Sequence, residues 1–228
     1  AKVDSNALQD GYQIYHHSFI LTRDGKWTVI QQGMNENTRW ARRYHWLSEG
    51  LKNFICEPHK AICGERSNIV LNMVAKESES AREMSVNLAK ENPEKVVKDF
   101  EKIKELRLSS KHPVSCEDIK VENLRKILLK TYEKKPEDFE ELLSIERVGP
   151  KTIRALALIS DLIYGKEVSY RDPVCFSFAH GGKDGHPYPV DKKLYDFSIE
   201  VLKDCVNRAK IGDYEKLKAL KRLSYIYG

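Results

Sequence analysis

Hydrophobic and polar positions alternate near the beginning of the chain, which is the spacing expected of β-strands. Two such runs, Tyr12 to Leu21 and Trp27 to Gln32, flank Asp24-Gly25, a dipeptide favoured in tight hairpin turns. This pattern predicts a β-hairpin. Residues 37 to 47 are instead predicted to form a helix, with Asn37 or Thr38 as its N-cap.

From residue 68 onward, apolar residues recur at the intervals of three and four that are typical of amphipathic helices. Residues 51 to 64 before this region are irregular. The predicted helices span residues 68–90, 93–106, 121–132, 136–145, 151–164, 191–210 and 213–227.

Composition places the chain among ordinary globular proteins. It has 228 residues, 41% of them hydrophobic, which is enough for a buried core, and no run approaches the roughly 18 apolar residues of a membrane span. The five cysteines are odd in number and scattered, which suits a reducing compartment better than a disulfide framework. We therefore predict a cytoplasmic protein with no membrane partner. Residues 1 to 9 look like the middle of a helix, so we expect a missing N-terminal segment of the same protein.

The segment from Leu142 to Ala155 carries the most informative local motif. It resembles a helix-hairpin-helix motif, in which a tight hydrophobic-Gly turn precedes Lys and Thr at the start of a second helix. The start of a helix presents unpaired amides and about half a positive charge, so a glycine-lined turn can bring N–H groups against a phosphate oxygen. We therefore predict a DNA-binding turn formed by Arg147, Val148, Gly149, Lys151 and Thr152.

One position of the turn departs from this motif. Arg147 stands where the first glycine commonly lies, which either weakens the backbone approach or supplies a second cation. The alternative interpretation is an ordinary corner between two helices whose apolar residues only pack.

The predicted fold class is mainly α (α+β), a helical domain with an N-terminal β-hairpin and a C-terminal helix-hairpin-helix domain. We divide the chain into three parts. Residues 1–50 hold the β-hairpin and a basic-aromatic helix, residues 51–133 a helical region, and residues 134–228 the helix-hairpin-helix element and the closing helices.

The hairpin also resembles that of endonuclease-III-type DNA glycosylases, in which a lysine of the hairpin and a downstream aspartate face the extruded nucleotide. Lys151 and Asp172 fall at the matching positions. The resemblance implies that Lys151 attacks the sugar C1′ and that Asp172 stabilises the developing positive charge or activates the nucleophile. Two alternatives stay open: phosphate binding alone for Lys151, and an Asp-Pro turn initiator for Asp172, which precedes Pro173.

Residues 39 to 46 interleave cations and aromatic side chains. The net charge of the chain is only +5, so the placement of basic residues matters more than their number. On the predicted helix, Arg39, Arg42 and Arg43 share one face, which predicts a basic DNA-binding surface. A merely solvated basic face is the alternative.

A glycine-rich loop near residue 180 carries the other predicted DNA contacts, namely His180, Lys183 and His186. Loops on a rigid scaffold often line binding sites, although these residues could equally belong to turns.

A zinc site is the less favoured interpretation of Cys56, His59 and Cys63, because a structural zinc ion has four ligands and no fourth Cys or His lies close in sequence. Buried thiols are the simpler explanation. We predict no metal site and no cofactor.

Several longer motifs occur along the chain. They are Asp10-Gly-Tyr-Gln-Ile-Tyr-His-His17, Gln31-Gln-Gly-Met-Asn35, Ala41-Arg-Arg-Tyr-His-Trp46, Glu57-Pro-His59, Arg171-Asp-Pro173 and Phe178-Ala-His-Gly-Gly-Lys-Asp-Gly185. Together they resemble the prokaryotic domain-of-unknown-function family DUF763 over nearly the whole chain. The resemblance implies no established activity.

The sequence therefore predicts a DNA-binding protein of genome maintenance, with DNA as its partner. The catalytic hypothesis is a DNA repair glycosylase with abasic-site lyase activity. Two alternatives are a non-catalytic DNA-binding module of a larger protein and a metal-dependent nuclease that uses His16 or His17 with His180, His186, Asp172 and Asp184.

Overall fold

The chain begins with a five-residue π-helix, Val3–Ala7, which is followed by the short strand β1 (Leu8–Gln9). These elements belong to the residues that the computed structural model describes, which are 1–105, 114–175 and 191–225. The helical character predicted for residues 1 to 9 therefore holds for residues 3 to 7 only.

Within the described residues, four strands form an antiparallel sheet. Strands β2 (Gln13–Leu21), β3 (Trp27–Met34), β4 (Ala41–Leu47) and β5 (Ala61–Cys63) lie side by side in chain order. Leu21 pairs with Trp27 across the first turn, where Gly25 has a φ of +83°, a conformation that glycine adopts without steric cost. The predicted β-hairpin is confirmed.

The helix predicted over residues 37 to 47 is wrong, because most of this segment forms β4. Arg42, Tyr44 and Trp46 are buried and the residues between them are only partly buried, which is the two-residue period of a strand. Hydrogen bonds to β3 on one side and β5 on the other hold β4 inside the sheet. This tertiary pairing outweighs the local preference for a helix.

The mainly α fold class is wrong for the same reason. The structure has 48% helix and 16% strand, and the four-stranded sheet precedes the helices along the chain. The protein is therefore α+β, and its four-stranded sheet has two strands beyond the predicted hairpin.

A second, two-stranded pairing joins the start of the chain to its middle. Strand β6 (Leu71–Asn72) lies antiparallel to β1 and is followed by a 3-10 turn, Lys76–Ser78, and by helix α1 (Glu79–Lys90). The helix predicted from residue 68 therefore begins only at Glu79, because residues 71 and 72 pair with β1 instead.

The next predicted helices are confirmed within a few residues of their expected ends. They are α2 (Pro93–Glu105), α3 (Val121–Lys134), α4 (Phe139–Ser144) and α5 (Pro150–Leu162). Helix α5 packs against α1 and α2, and its residues Ile153, Leu156 and Ile159 are fully buried. The apolar core therefore centres on α5.

The chain divides into two compact units, Ala1–Phe178 and Ala179–Gly228. In the second unit, helices α6 (Lys192–Arg208) and α7 (Asp213–Tyr225) pack against each other, and both are predicted from the sequence. No helix in the described part of the chain has the length and apolar character needed to cross a membrane.

Arg42 lies fully buried at the centre of a polar cluster in the first unit. Its guanidinium donates to Asp10 at 2.8 Å and to Asp172 at 2.7 Å, and it stacks 4.5 Å from the centre of the Tyr12 ring. The Tyr44 hydroxyl donates to Asp10 at 2.6 Å. Burial disfavours the charge on Arg42, but the two carboxylates outweigh this effect and raise its pKa. The cluster joins β4 to the segment before β2 and to the segment after α5.

Arg42→Met is expected to lower the free energy of unfolding by about 3–5 kcal/mol, because two buried carboxylates lose their counter-charge. Urea denaturation followed by tryptophan fluorescence measures this, since all three tryptophans lie in the first unit. Lys26→Met, which removes an exposed ion pair with Glu49, is the control and should have little effect. Equal stability of the two variants would contradict the role given to Arg42.

Candidate nucleic-acid interface

The hairpin predicted from the sequence consists of α4, a short turn and α5. Asp138 caps α4, because its carboxylate accepts a hydrogen bond from the Glu141 amide at 2.8 Å. At the other end of α4, the Lys2 ammonium donates to the carbonyls of Leu143 and Ile145 at 2.8 and 3.0 Å. A cation at this position matches the negative end of the helix dipole.

Arg147 adopts a left-handed backbone conformation in the turn, with a φ of +71°. An L-residue in this conformation costs roughly 1–2 kcal/mol, whereas glycine adopts it freely. The turn thus keeps a geometry that favours glycine although an arginine occupies the position. Because the Arg147 side chain is exposed, the structure favours the interpretation in which it adds a cation to the turn.

Gly149 is the N-cap of α5 and has extended backbone angles that any residue can adopt. A Cβ atom added to it would meet only the Arg147 carbonyl oxygen, at 3.9 Å, which is an ordinary contact. No contact among the described residues therefore requires glycine here. Its missing side chain leaves the start of α5 open to close approach from outside.

The first turn of α5 presents amide groups that the helix itself does not use. Gly149 provides no side-chain cap, and Pro150 at the first helical position has no N–H. The amides of Lys151 and Thr152 lie in the part of a helix where no intrahelical acceptor exists. The start of α5 thus combines unpaired donors with the positive end of the helix dipole.

The inner side of the turn is fixed by the start of the chain. Asn6 donates to the Val148 carbonyl at 3.2 Å, and Gln9 donates to the Pro150 carbonyl at 2.8 Å. Val148 is itself buried. The carbonyls of the turn therefore bind inward, which holds the turn in place.

A cavity of about 540 Å³ lies beside the turn and the beginning of α3. Three basic residues, Lys120, Arg147 and Lys151, line it together with Asp118. Sequence reasoning missed Lys120 and Asp118, because only the tertiary structure brings the segment before α3 next to the turn.

Asp118 already binds the cations at the start of α5. Its carboxylate lies 3.1 Å from the Lys151 ammonium, and both of its oxygens accept from Arg154 at 2.8 Å. Burial opposes ionisation of Asp118, but Lys151 and Arg154 outweigh it and lower the pKa of the carboxyl. An incoming phosphate would therefore compete with an ionised carboxylate for Lys151.

The two predicted catalytic residues lie in different surroundings. Asp172 is buried and accepts hydrogen bonds from Arg42 and from the amides of Ser67 at 2.6 Å and Val174 at 3.0 Å. It lines a cavity different from the one beside Lys151. The Val174 bond is the local turn expected of an Asp-Pro sequence. The structure thus gives no shared site to Lys151 and Asp172.

The predicted basic face of Arg39, Arg42 and Arg43 does not exist, because these residues do not lie on a helix. Arg42 is buried in the ion cluster, and its neighbour Arg43 points to the opposite side of β4, as successive strand residues do. Arg39 is exposed in the turn before β4, with a φ of +58°. The three arginines therefore share no common surface.

Three predicted DNA contacts lie outside the described residues: His180, Lys183 and His186. Within the described ranges, no three His, Cys, Asp or Glu side chains could hold a metal ion together. The zinc interpretation of Cys56, His59 and Cys63 therefore has no support. None of the five cysteines forms a disulfide.

Sequence reasoning did not predict the contacts that several polar residues make in the interior. Asp10 binds Arg42 and accepts a hydrogen bond from Tyr44. His59 contacts Asp4. Asp10, Tyr44 and His59 belong to the long motifs of the sequence. The signal that could have identified them is a polar side chain near apolar residues of strands and turns. Their partners could not be inferred, because each contact joins segments that are distant in sequence.

The fold and the hairpin define an α+β protein in which an N-terminal antiparallel sheet precedes helices that carry a tight, basic helix–turn–helix hairpin. The chain belongs to the family described as protein of unknown function (DUF763), whose family model matches residues 1–190. No curated protein and no solved structure matches the chain. The resemblance to endonuclease-III-type glycosylases is not shown by these comparisons.

Arg147→Gly is expected to stabilise the first unit by about 1 kcal/mol, because glycine relieves the left-handed strain of the turn. The control is Lys126→Gly, an exposed position within α3, which should destabilise the protein by about 1 kcal/mol. Urea denaturation followed by tryptophan fluorescence compares the two. If both variants lose stability equally, the turn is not strained at Arg147.

Proposed function

We propose that this protein binds DNA by placing a backbone phosphate against the hairpin turn. The observation that carries the proposal is that Arg147 has a left-handed backbone conformation two residues before Gly149, which is the N-cap of α5 and has no side chain. A phosphate oxygen there could accept from the amides of Lys151 and Thr152 at the positive end of α5. Contacts of this kind recognise the backbone and carry no direct information about base sequence.

Two further features support phosphate binding. Lys120, Arg147 and Lys151 surround the cavity beside the turn, and the only carboxylate among its described lining residues is that of Asp118. The inward bonds of the turn carbonyls fix the donors before any ligand arrives, which lowers the entropic cost of binding.

Among the functions expected from the sequence, a non-catalytic DNA-binding module has the better geometric support. Attack at C1′ needs a free amine and a carboxylate at one nucleotide. Lys151 instead contacts Asp118, and Asp172 is engaged by Arg42. We place the protein in genome maintenance and in the cytoplasm, and the absence of disulfides among its cysteines suits a reducing compartment.

The double variant Arg147→Ala, Lys151→Ala is expected to bind duplex DNA at least about tenfold more weakly, because two phosphate contacts are lost. The slope of log affinity against log salt should fall in magnitude by about 1.8, at roughly 0.9 per contact. Fluorescence anisotropy of a labelled duplex at several salt concentrations measures both quantities. Unchanged binding and slope would refute the role of the turn.

Two matched variants complete this experiment. Lys95→Ala, Lys102→Ala removes the same charge from α2 and should change the affinity far less. Asp118→Asn removes the carboxylate that competes for Lys151, so affinity should rise about threefold to fivefold, as expected for one nearby charge in water. A loss of affinity in Asp118→Asn would contradict this competition.

Borohydride treatment on abasic-site DNA tests the lyase hypothesis. We expect no covalent adduct that depends on Lys151, because its ammonium is paired with Asp118 and the predicted catalytic Asp172 lines another cavity. The comparison is wild type against Lys151→Ala at equal occupancy of DNA. An adduct that forms in the wild type and disappears in the variant would establish catalysis at the hairpin.

A further inference from the structure

A second buried polar cluster, centred on Asp4, lies away from the turn. The Asp4 carboxylate is fully buried and accepts hydrogen bonds from Gln31, from Trp46 at 2.9 Å, and from Nε2 of His59. An ionised carboxylate only accepts hydrogen bonds, so Nε2 of His59 carries the hydrogen. In the neutral ring, Nδ1 then keeps its lone pair.

The His59 ring is fixed in one orientation. Its side chain is only 6% exposed, and it packs edge-on against Trp46 with ring centres 4.9 Å apart. Among the described residues, Nδ1 has no hydrogen-bond partner. The ring borders two cavities, and it lines the one of about 520 Å³ together with two arginines.

The walls of this cavity favour an anion. Arg66 and Arg171 both line it, and Arg66 is held there by the Val174 carbonyl at 3.0 Å, whereas Arg171 also pairs with Glu77 at 3.1 Å. Asp172 is on the wall too, but Arg42 and two backbone amides already engage its carboxylate.

The remaining carboxylate on the described walls is Glu57. Arg66 and His59 therefore face one uncompensated acid, together with Arg171, whose charge Glu77 partly balances. The volume falls in the range of about 300–1,000 Å³ that is typical of small-molecule sites.

We propose that this cavity binds a phosphate monoester, with Arg66 and Arg171 balancing the phosphate charge and His59 exchanging a hydrogen bond with it through Nδ1. Asp4 is a positioning residue, because its hydrogen bond to Nε2 fixes the orientation and the tautomer of the ring. The site does not depend on DNA binding by the hairpin.

Calorimetric titration of the full chain tests the site with three probes: inorganic phosphate, deoxyadenosine monophosphate and deoxyadenosine. The two phosphates should bind and the nucleoside should not. Arg66→Gln, Arg171→Gln should weaken phosphate binding about tenfold or more, as expected for charge-assisted hydrogen bonds. The hairpin variant Arg147→Ala, Lys151→Ala should bind these phosphates as the wild type does.

Two outcomes of the titration would overturn the proposal. One is phosphate binding that survives the arginine double variant, and the other is binding that is lost only in the hairpin variant. Because the hairpin variant is tested separately against duplex DNA, failure of this site and failure of the proposed function are distinguishable.

NMR of protein with isotope-labelled histidine nitrogens tests the role of His59. The His59→Gln variant identifies which resonances belong to this residue. Phosphate should move the Nδ1 resonance of His59, and Asp4→Asn should change its tautomer and weaken binding while tryptophan fluorescence shows a folded protein. An Nδ1 resonance that does not respond to phosphate would contradict the assignment.

Discussion

The buried guanidinium of Arg42 is the interaction on which the rest of the first unit depends. It binds Asp10 before β2 and Asp172 after α5, so one charge ties the sheet to the segment that follows the central helix. Removing three charges from water is costly, and the attraction offsets this only with short contacts and further hydrogen bonds such as that from Tyr44. Asp172 cannot turn outward without losing its bonds to Arg42 and to two backbone amides. Its carboxylate therefore serves the fold and is not available beside Lys151.

The π-helix at the start of the chain supports the hairpin and the histidine cavity from a single element. Asn6 holds the Val148 carbonyl, and Asp4, two residues earlier, holds His59. Helices of this kind are rare and occur frequently at functional sites. A displacement of these five residues would therefore alter the shape of the turn and the orientation of the His59 ring together.

The two helices of the hairpin were predictable because their signals are local. Pro150 opens α5 at the position that proline prefers, whereas α4 begins after its Asp138 cap and not at residue 136 as predicted. The helix predicted over residues 37 to 47 was wrong, because the spacing of the arginines there fits a helix as well as it fits a strand. Pairing with β3 and β5 makes this segment a strand. These partners cannot be inferred from the sequence of the segment alone.

By itself, the sequence determined the first hairpin turn, the confirmed helices, the basic turn before α5 and, through its long motifs, the family. Only the tertiary structure decided what the polar residues of those motifs do. Arg42 changed from a predicted DNA contact to a buried ion, and His59 from a doubtful zinc ligand to a histidine held by Asp4. The physical reason is that charge, burial and hydrogen bonding depend on partners brought together from distant segments, whereas caps and turns depend on residues a few positions apart.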